Sequence, residues 1–161
     1  GGMIYARDRF HEGMTRTMPS LQEASTFYMS AFTTLHTLSH MLIKEFSAMS
    51  GFSLGSLSER LYLETNETDS ELLSAGILLY TSSPSSDGTL GGLVQQAASI
   101  ERVENLVRRS LENLLSCSND PICMDHEPDA GSENGAACHA CVLLPETACE
   151  FANMSLDRRW G

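Results

Sequence analysis

Five cysteines fall in the last third of the chain, at Cys117, Cys123, Cys138, Cys141 and Cys149. A Cys-x-x-Cys step such as Cys138–Cys141 lets two sulfurs from one tight turn reach one ion, and Zn2+ takes four ligands at tetrahedral corners. Thiolates at close, uneven spacing in a reducing compartment point to such an ion rather than to disulfides. Cys138 and Cys141 are the firmest pair, with Cys123 and Cys149 next. Cys117 is the alternative fourth ligand, because it stands at the end of a helical pattern. His126 and His139 could substitute for a sulfur, since imidazole also suits zinc. A closed four-cysteine site leaves no position for substrate, so it stabilises rather than catalyses. The competing readings are buried unliganded thiols and a redox pair. A redox Cys-x-x-Cys normally opens a helix after a strand, whereas Gly135-Ala136-Ala137 precedes this one and no strand pattern is evident.

Two further groups invite chemistry. His36 and His40 are four apart on a helical pattern, so their rings share one side of it. The metalloprotease signature requires Glu directly after the first His, and Thr37 stands there. A metal-dependent hydrolase using His36 and His40 is therefore the alternative. A buried hydrogen-bonded seam, packed on the Gly76–Thr81 strand or on the glycine loop, is the preferred reading. That loop, Asp87-Gly88-Thr89-Leu90-Gly91-Gly92, lies between a strand pattern and a helix pattern, the setting in which backbone amides cradle phosphates. It lacks the lysine of a phosphate-binding loop, which leaves a tight turn as the simpler account.

These groups need elements to carry them. Tyr28, Phe32, Leu35, Leu38, Leu42, Phe46 and Met49 recur at helical spacing after Pro19-Ser20 and predict a long core-facing helix, with Gly51 as its C-cap. Leu54, Leu57 and Leu61 predict a second, shorter helix with Glu59 and Arg60 outside, and 64–69 predicts a solvated loop. Gly76–Thr81 predicts a strand covered on both faces. Leu93, Ala97, Ile100, Val103, Val107, Leu111 and Leu114 predict one helix running to about Leu115. The remainder, 117–151, is rich in turn residues and too poor in apolar surface to order itself without a staple. Asn153 to Trp160 predicts a last helical turn that carries Leu156 and Trp160 inward. The expected organisation is a flexible segment 1–18 and a single domain 19–161, with 117–151 as its zinc lobe.

The bulk properties exclude several classes. The chain has 161 residues, 42% hydrophobic and 19% charged, with 10 Lys and Arg against 21 Asp and Glu for a net charge of −11. That is a globular mix for one domain. Its acidity repels phosphate backbones and suits a protein partner better than bare nucleic acid. No apolar run reaches membrane-span length, and the N-terminal residues lack the apolar stretch of a signal peptide. A cytoplasmic, non-membrane protein is expected.

Read together, Leu35-His36-Thr37-Leu38-Ser39-His40-Met41-Leu42-Ile43, Ile77–Thr81 followed by Ser86–Gly92, Cys117 to Cys123 around Asp120-Pro121, Gly135–Cys141, and Pro145–Glu150 followed by Asn153 and Leu156-Asp157-Arg158 form a familiar order. The chain resembles the C-terminal domain of DrmB-like proteins, partners of a helicase in the DISARM anti-phage system. A related form, the MrfA zinc-binding domain, closes certain DNA-repair helicases. The resemblance covers roughly 30–160. It implies an α+β domain, helices around a small sheet with a zinc-stapled, turn-rich C-terminal lobe. It implies Zn2+ held by Cys123, Cys138, Cys141 and Cys149, with Cys117 as the near candidate. It also implies an accessory, non-catalytic role, linking a helicase subunit or the remainder of a larger protein to DNA through the assembly. No motor motif is present, so ATPase activity would come from elsewhere.

Overall fold

The computed structural model describes residues 26–66, 71–81, 91–129 and 132–160. Its axis is α1, Thr26–Ser50. Tyr28, Phe32 and Phe46 of the expected stripe are buried, while Leu35, Leu38, Leu42 and Met49 are partly covered. The helix is enclosed more widely than that stripe predicts. His36, Thr37, Ser39, His40, Met41, Ile43 and Glu45 are buried too, as befits a helix packed on several sides. It ends at Gly51, whose φ of 77° and 2.9 Å amide bond to the Ser47 carbonyl make the left-handed cap that glycine favours.

The short helix expected over Leu54–Leu61 is not formed. A 3-10 turn, Leu54–Ser56, leads into strand β1, Leu57–Asn66. Leu57 and Leu61 suit either period, but Leu57, Glu59, Leu61 and Leu63 are all buried, and that alternation belongs to a strand. Residues 64–66, expected in a loop, complete β1. Strand β2, Glu71–Thr81, pairs antiparallel with it, Leu57 opposite Thr81 and Leu61 opposite Ile77, with a bulge between Glu64 and Thr65. The apolar run at Gly76–Thr81 is strand as expected, but it is not covered on both faces: Leu78 is 48% exposed and Leu73 52%. A two-stranded hairpin laid on one helix has a single covered face.

The helix expected from Leu93 is two helices, α2 (Gly91–Gln96) and α3 (Ile100–Glu112). They break at 97–99, where the Ser99 hydroxyl accepts the Arg102 amide at 3.4 Å and caps α3. Leu106, Ser110 and Leu114 face α1, whereas Ile100, Val103, Leu111 and Leu115 are exposed. Arg109 and Asn113 fasten α3 to Glu45 of α1, the Asn113 amide donating at 3.0 Å.

Beyond Leu114 the described residues form turns, an isolated bridge between Asp129 and Ser132, and a closing 3-10 turn, Arg158–Trp160. These turns nevertheless supply the core. Phe151 joins Tyr28, Phe32, Leu61 and Leu63, while Val142 and Leu156 join Met41 and Leu114. Leu144 and Ala148 join Ile43, Phe46, Leu57 and Leu106. Leu156 points inward as expected. Residues 1–18 and 82–90, which include most of the glycine loop, lie outside the described residues. Among those described, no helix is long and apolar enough to cross a membrane.

Candidate metal centre

Two turns bring four sulfurs together. After α3 the chain reverses at Cys117, whose amide donates to Asp120 Oδ2 at 2.9 Å, and the Cys123 amide closes a further turn on the Asn119 carbonyl at 3.0 Å. Opposite them, the amides of Cys141, Val142 and Leu143 all converge on the Cys138 carbonyl at 3.0–3.1 Å. That wraps the Cys-His-Ala-Cys step so that both its sulfurs face one way. Cys117 Sγ lies 3.5 Å from Cys138 Sγ, which is 3.6 Å from Cys141 Sγ, itself 3.6 Å from Cys123 Sγ. All four ligand atoms fall within 4.8 Å of one another.

The spacing identifies what the cluster suits. A disulfide needs sulfurs ~2.05 Å apart. A tetrahedral zinc site with bonds of ~2.3 Å has edges of ~3.8 Å, close to the distances found. Donors around the sulfurs fit anionic ligands: the Asn119 amide reaches Cys117 Sγ at 3.4 Å, its side chain reaches Cys138 Sγ at 3.4 Å, and the Cys138 amide reaches Cys141 Sγ at 3.3 Å. Burial would raise the Cys138 thiol, but hydrogen bonds from Cys117, Ala140 and Cys141 outweigh it and bring it down to about 6. Burial drives Cys123 and Cys141 up. A bound cation would offset that cost, since metal ligation takes the thiolate. Lys44 stands beside the cluster and donates to the Cys141 carbonyl. Burial lowers its ammonium while the sulfurs of Cys141, Cys138 and Cys117 pull it the other way.

Of the cysteines singled out in the sequence, Cys123, Cys138 and Cys141 therefore meet, and the fourth corner is Cys117. Cys149 lies elsewhere, its Sγ 3.2 Å from His36 Nε2. His126 is turned to the Gly135 carbonyl, 3.2 Å away, and His139 is exposed. His36 and His40 do share one side of α1 and are buried, but they face Glu59 of strand β1 rather than the Gly76–Thr81 strand of the seam reading. Both approach Glu59, at 3.1 and 3.2 Å.

Glu59 was not singled out as a site residue. A carboxylate in an acidic chain reads as surface, yet it is fully buried. The signal was its position between Leu57 and Leu61 on the apolar face of a period-two segment, where a charge requires partners. Burial would raise its pKa, but hydrogen bonds from His36 and His40 hold it well below the usual carboxylate range.

The geometry has the marks of a metal-clamped structural module, and the sequence places it in a known class. Residues 38–142 match the family model of the MrfA Zn-binding domain, and the chain belongs to that family. A relative is the DISARM protein DrmB of Bacillus paralicheniformis, 44% identical over 125 residues, which cover 77% of this chain and 21% of that protein. The chain thus spans about a fifth of the length of the curated relative it matches.

Proposed function

We propose that this domain is a non-catalytic, zinc-stapled accessory module of a helicase-associated anti-phage defence protein, and that it works by docking against protein within that assembly. The observation that carries the reading is the sulfur tetrahedron of Cys117, Cys123, Cys138 and Cys141, all four within the span matched to a zinc-binding family. Four protein ligands close the coordination sphere, so the ion holds the fold and offers no site to substrate or activated water. The defence context rests on the DrmB relationship, and the helicase context on the resemblance of the sequence motifs.

Two features favour protein over bare nucleic acid as the immediate contact. The net charge of −11 opposes association with phosphates. Helix α3 and the turn after it leave Val103, Leu111 and Leu115 exposed, and with half-buried Val107 they line an open apolar groove flanked by Glu104, Arg108 and Glu112. The occupant proposed for this groove is the helicase-type subunit or the remainder of the longer protein, consistent with the fraction of DrmB that the chain represents. DNA is then engaged through the assembly.

The test is direct. Zinc per chain should fall by one ion in Cys138→Ser. A DISARM-type helicase subunit should bind the zinc-loaded domain and lose that binding in Leu111→Lys/Leu115→Lys, with little change in melting temperature. Tight, salt-resistant binding of duplex DNA by the isolated domain would overturn the docking reading, as would hydrolytic turnover lost on changing Cys138.

A further inference from the structure

Some distance along the chain from the sulfur tetrahedron, His36 and His40 of α1, Glu59 of β1 and Cys149 of the C-terminal turn bring one ligand atom each within 4.8 Å of the others, and all four residues are buried. We propose that this cluster is a second, separate cation site, closed by four protein ligands and suited to a divalent transition ion of zinc's class. His36 and Cys149 lie outside the span matched to the zinc-binding family.

The hydrogen-bond pattern argues for a cation at the centre. His40 Nδ1 is 3.1 Å from the Val142 carbonyl, which can only accept, so that nitrogen carries the ring's proton. Its other nitrogen, Nε2, lies 3.2 Å from Glu59 Oε1. Either a second ring proton or a bound cation must stand between that nitrogen and the carboxylate, and of the two only a cation serves all four groups at once. His36 Nε2 faces the same Oε1 at 3.1 Å and Cys149 Sγ at 3.2 Å, and one ring proton cannot serve both. The four ligand atoms thus gather within 4.8 Å of one another, where a single ion in their midst would satisfy them all.

The surroundings repeat the devices that orient metal ligands. A histidine ligand commonly donates its other nitrogen to a backbone carbonyl, as His40 does to Val142. The free oxygen of Glu59 accepts from the Ser39 hydroxyl. Cys149 Sγ accepts the amides of Phe151 and Asn153, each at 3.3 Å, much as Cys117 Sγ accepts the Asn119 amide. Ala152 and Asn153 hold left-handed backbone at φ 51° and 58° around that turn. Two imidazoles, one carboxylate and one thiolate carry two negative charges in total, so a divalent ion leaves the pocket neutral. Tetrahedral zinc with bonds of ~2.0–2.3 Å has edges of ~3.3–3.6 Å, a little longer than the 3.1–3.2 Å at which His36 and His40 approach Glu59 and His36 approaches Cys149. The buried, four-ligand enclosure makes the ion structural. It joins α1, β1 and the 149–153 turn, whereas the sulfur site joins the chain leaving α3 to the 138–141 turn.

The experiment is metal analysis of the zinc-loaded chain with X-ray absorption at the zinc edge. Two ions per chain are expected, sharing five sulfur and three nitrogen or oxygen neighbours drawn from the two ligand sets. His40→Gln and Cys149→Ser should each drop the content from two ions to one and leave an all-sulfur spectrum. Cys138→Ser/Cys141→Ser should leave the nitrogen- and oxygen-rich ion, so failure of one site is distinguishable from failure of the other. Cobalt loading of the wild type provides the readout that survives if a variant misfolds: a one-thiolate spectrum must appear beside the four-thiolate one. One all-sulfur ion per wild-type chain would overturn the proposal, leaving an imidazolium–carboxylate seam. So would two ions retained in His40→Gln/Cys149→Ser.

Discussion

Arg158 and Asp120 meet where the C-terminal turn crosses the exit of α3, a fully buried guanidinium against a carboxylate that keeps 29% of its side chain exposed. Arg158 also donates to the Leu114 carbonyl at 3.1 Å, and Asp120 accepts the Cys117 amide at 2.9 Å. The pair therefore fastens the end of the chain to the first cysteine. Its two halves are not equivalent. Asp120→Ala strands a buried charge, which costs about 3–5 kcal/mol. Arg158→Met leaves Asp120 free to turn to water and should cost about 1–3 kcal/mol for the lost hydrogen bonds. Urea midpoints at unchanged slope measure both, and equal losses would contradict the asymmetry.

Metal removal should unfold more than the lobe that holds the sulfurs. All three apolar clusters draw residues from 141–156, including Val142, Leu144, Phe151 and Leu156, and those turns have no helix or strand of their own. A strong chelator should therefore abolish cooperative melting of α1 and the hairpin as well. Adding back zinc should raise the melting temperature with its free concentration, by ~2.7 kcal/mol of stability at a hundred times Kd. Calorimetry with and without chelator decides the matter. An unchanged transition would mean that the apolar contacts suffice alone.

Gly135 is required for lack of a side chain rather than for backbone freedom. A Cβ there would run into the Asp157 carboxylate and the Arg159 guanidinium. The Gly135 amide donates to the Leu156 carbonyl at 2.9 Å, so the backbone cannot withdraw. Gly135→Ala should destabilise by about 1–3 kcal/mol, as overpacking does, and should loosen the neighbouring Cys138 turn. The same substitution at Gly51 is a useful contrast. There nothing lies within 4 Å, and the cost is that of holding alanine at φ 77°.

The readable parts of this fold were local ones. Cys138 and Cys141 announce a shared ion because two residues separate them, and Tyr28 to Met49 announce a helix because its period runs for six turns. Pairings set by distant approach were not readable. Cys149 is as near in sequence to Cys141 as Cys123 is to Cys117 within a residue or two, and only the path of α1 assigns it to His36 rather than to the sulfurs. The strand at Leu57–Asn66 was hidden because Leu57 and Leu61 fit the helical interval. Glu59 was hidden with it, since its burial follows from the strand. The break at Ser99 was masked by apolar residues that continue in phase across it, and their exposure on α3 shows that periodicity marks an apolar face without telling whether this chain covers it.

Asp157 offers a test of how charge stabilises the C-terminal turn. Its carboxylate accepts the Ala136 amide at 3.1 Å and the Arg159 amide at 3.0 Å, and it pairs with the Arg159 side chain. Burial would raise its pKa, but the bonds from Arg159 prevail and hold it below the ordinary carboxylate value. The unfolded chain then binds the proton more readily, at about pH 3.9, so stability rises with pH through that window. The contribution is complete above the unfolded value and is lost as pH falls through the folded one. Asp157→Asn keeps the shape without the charge. Its deficit against wild type should be largest from pH 5 to 7 and shrink below about pH 4. Protonation of the metal ligands weakens both proteins alike and cancels in the difference. Paired urea titrations across that range give the answer. A deficit that does not change with pH would assign the cost to altered hydrogen-bond geometry rather than to the lost carboxylate charge.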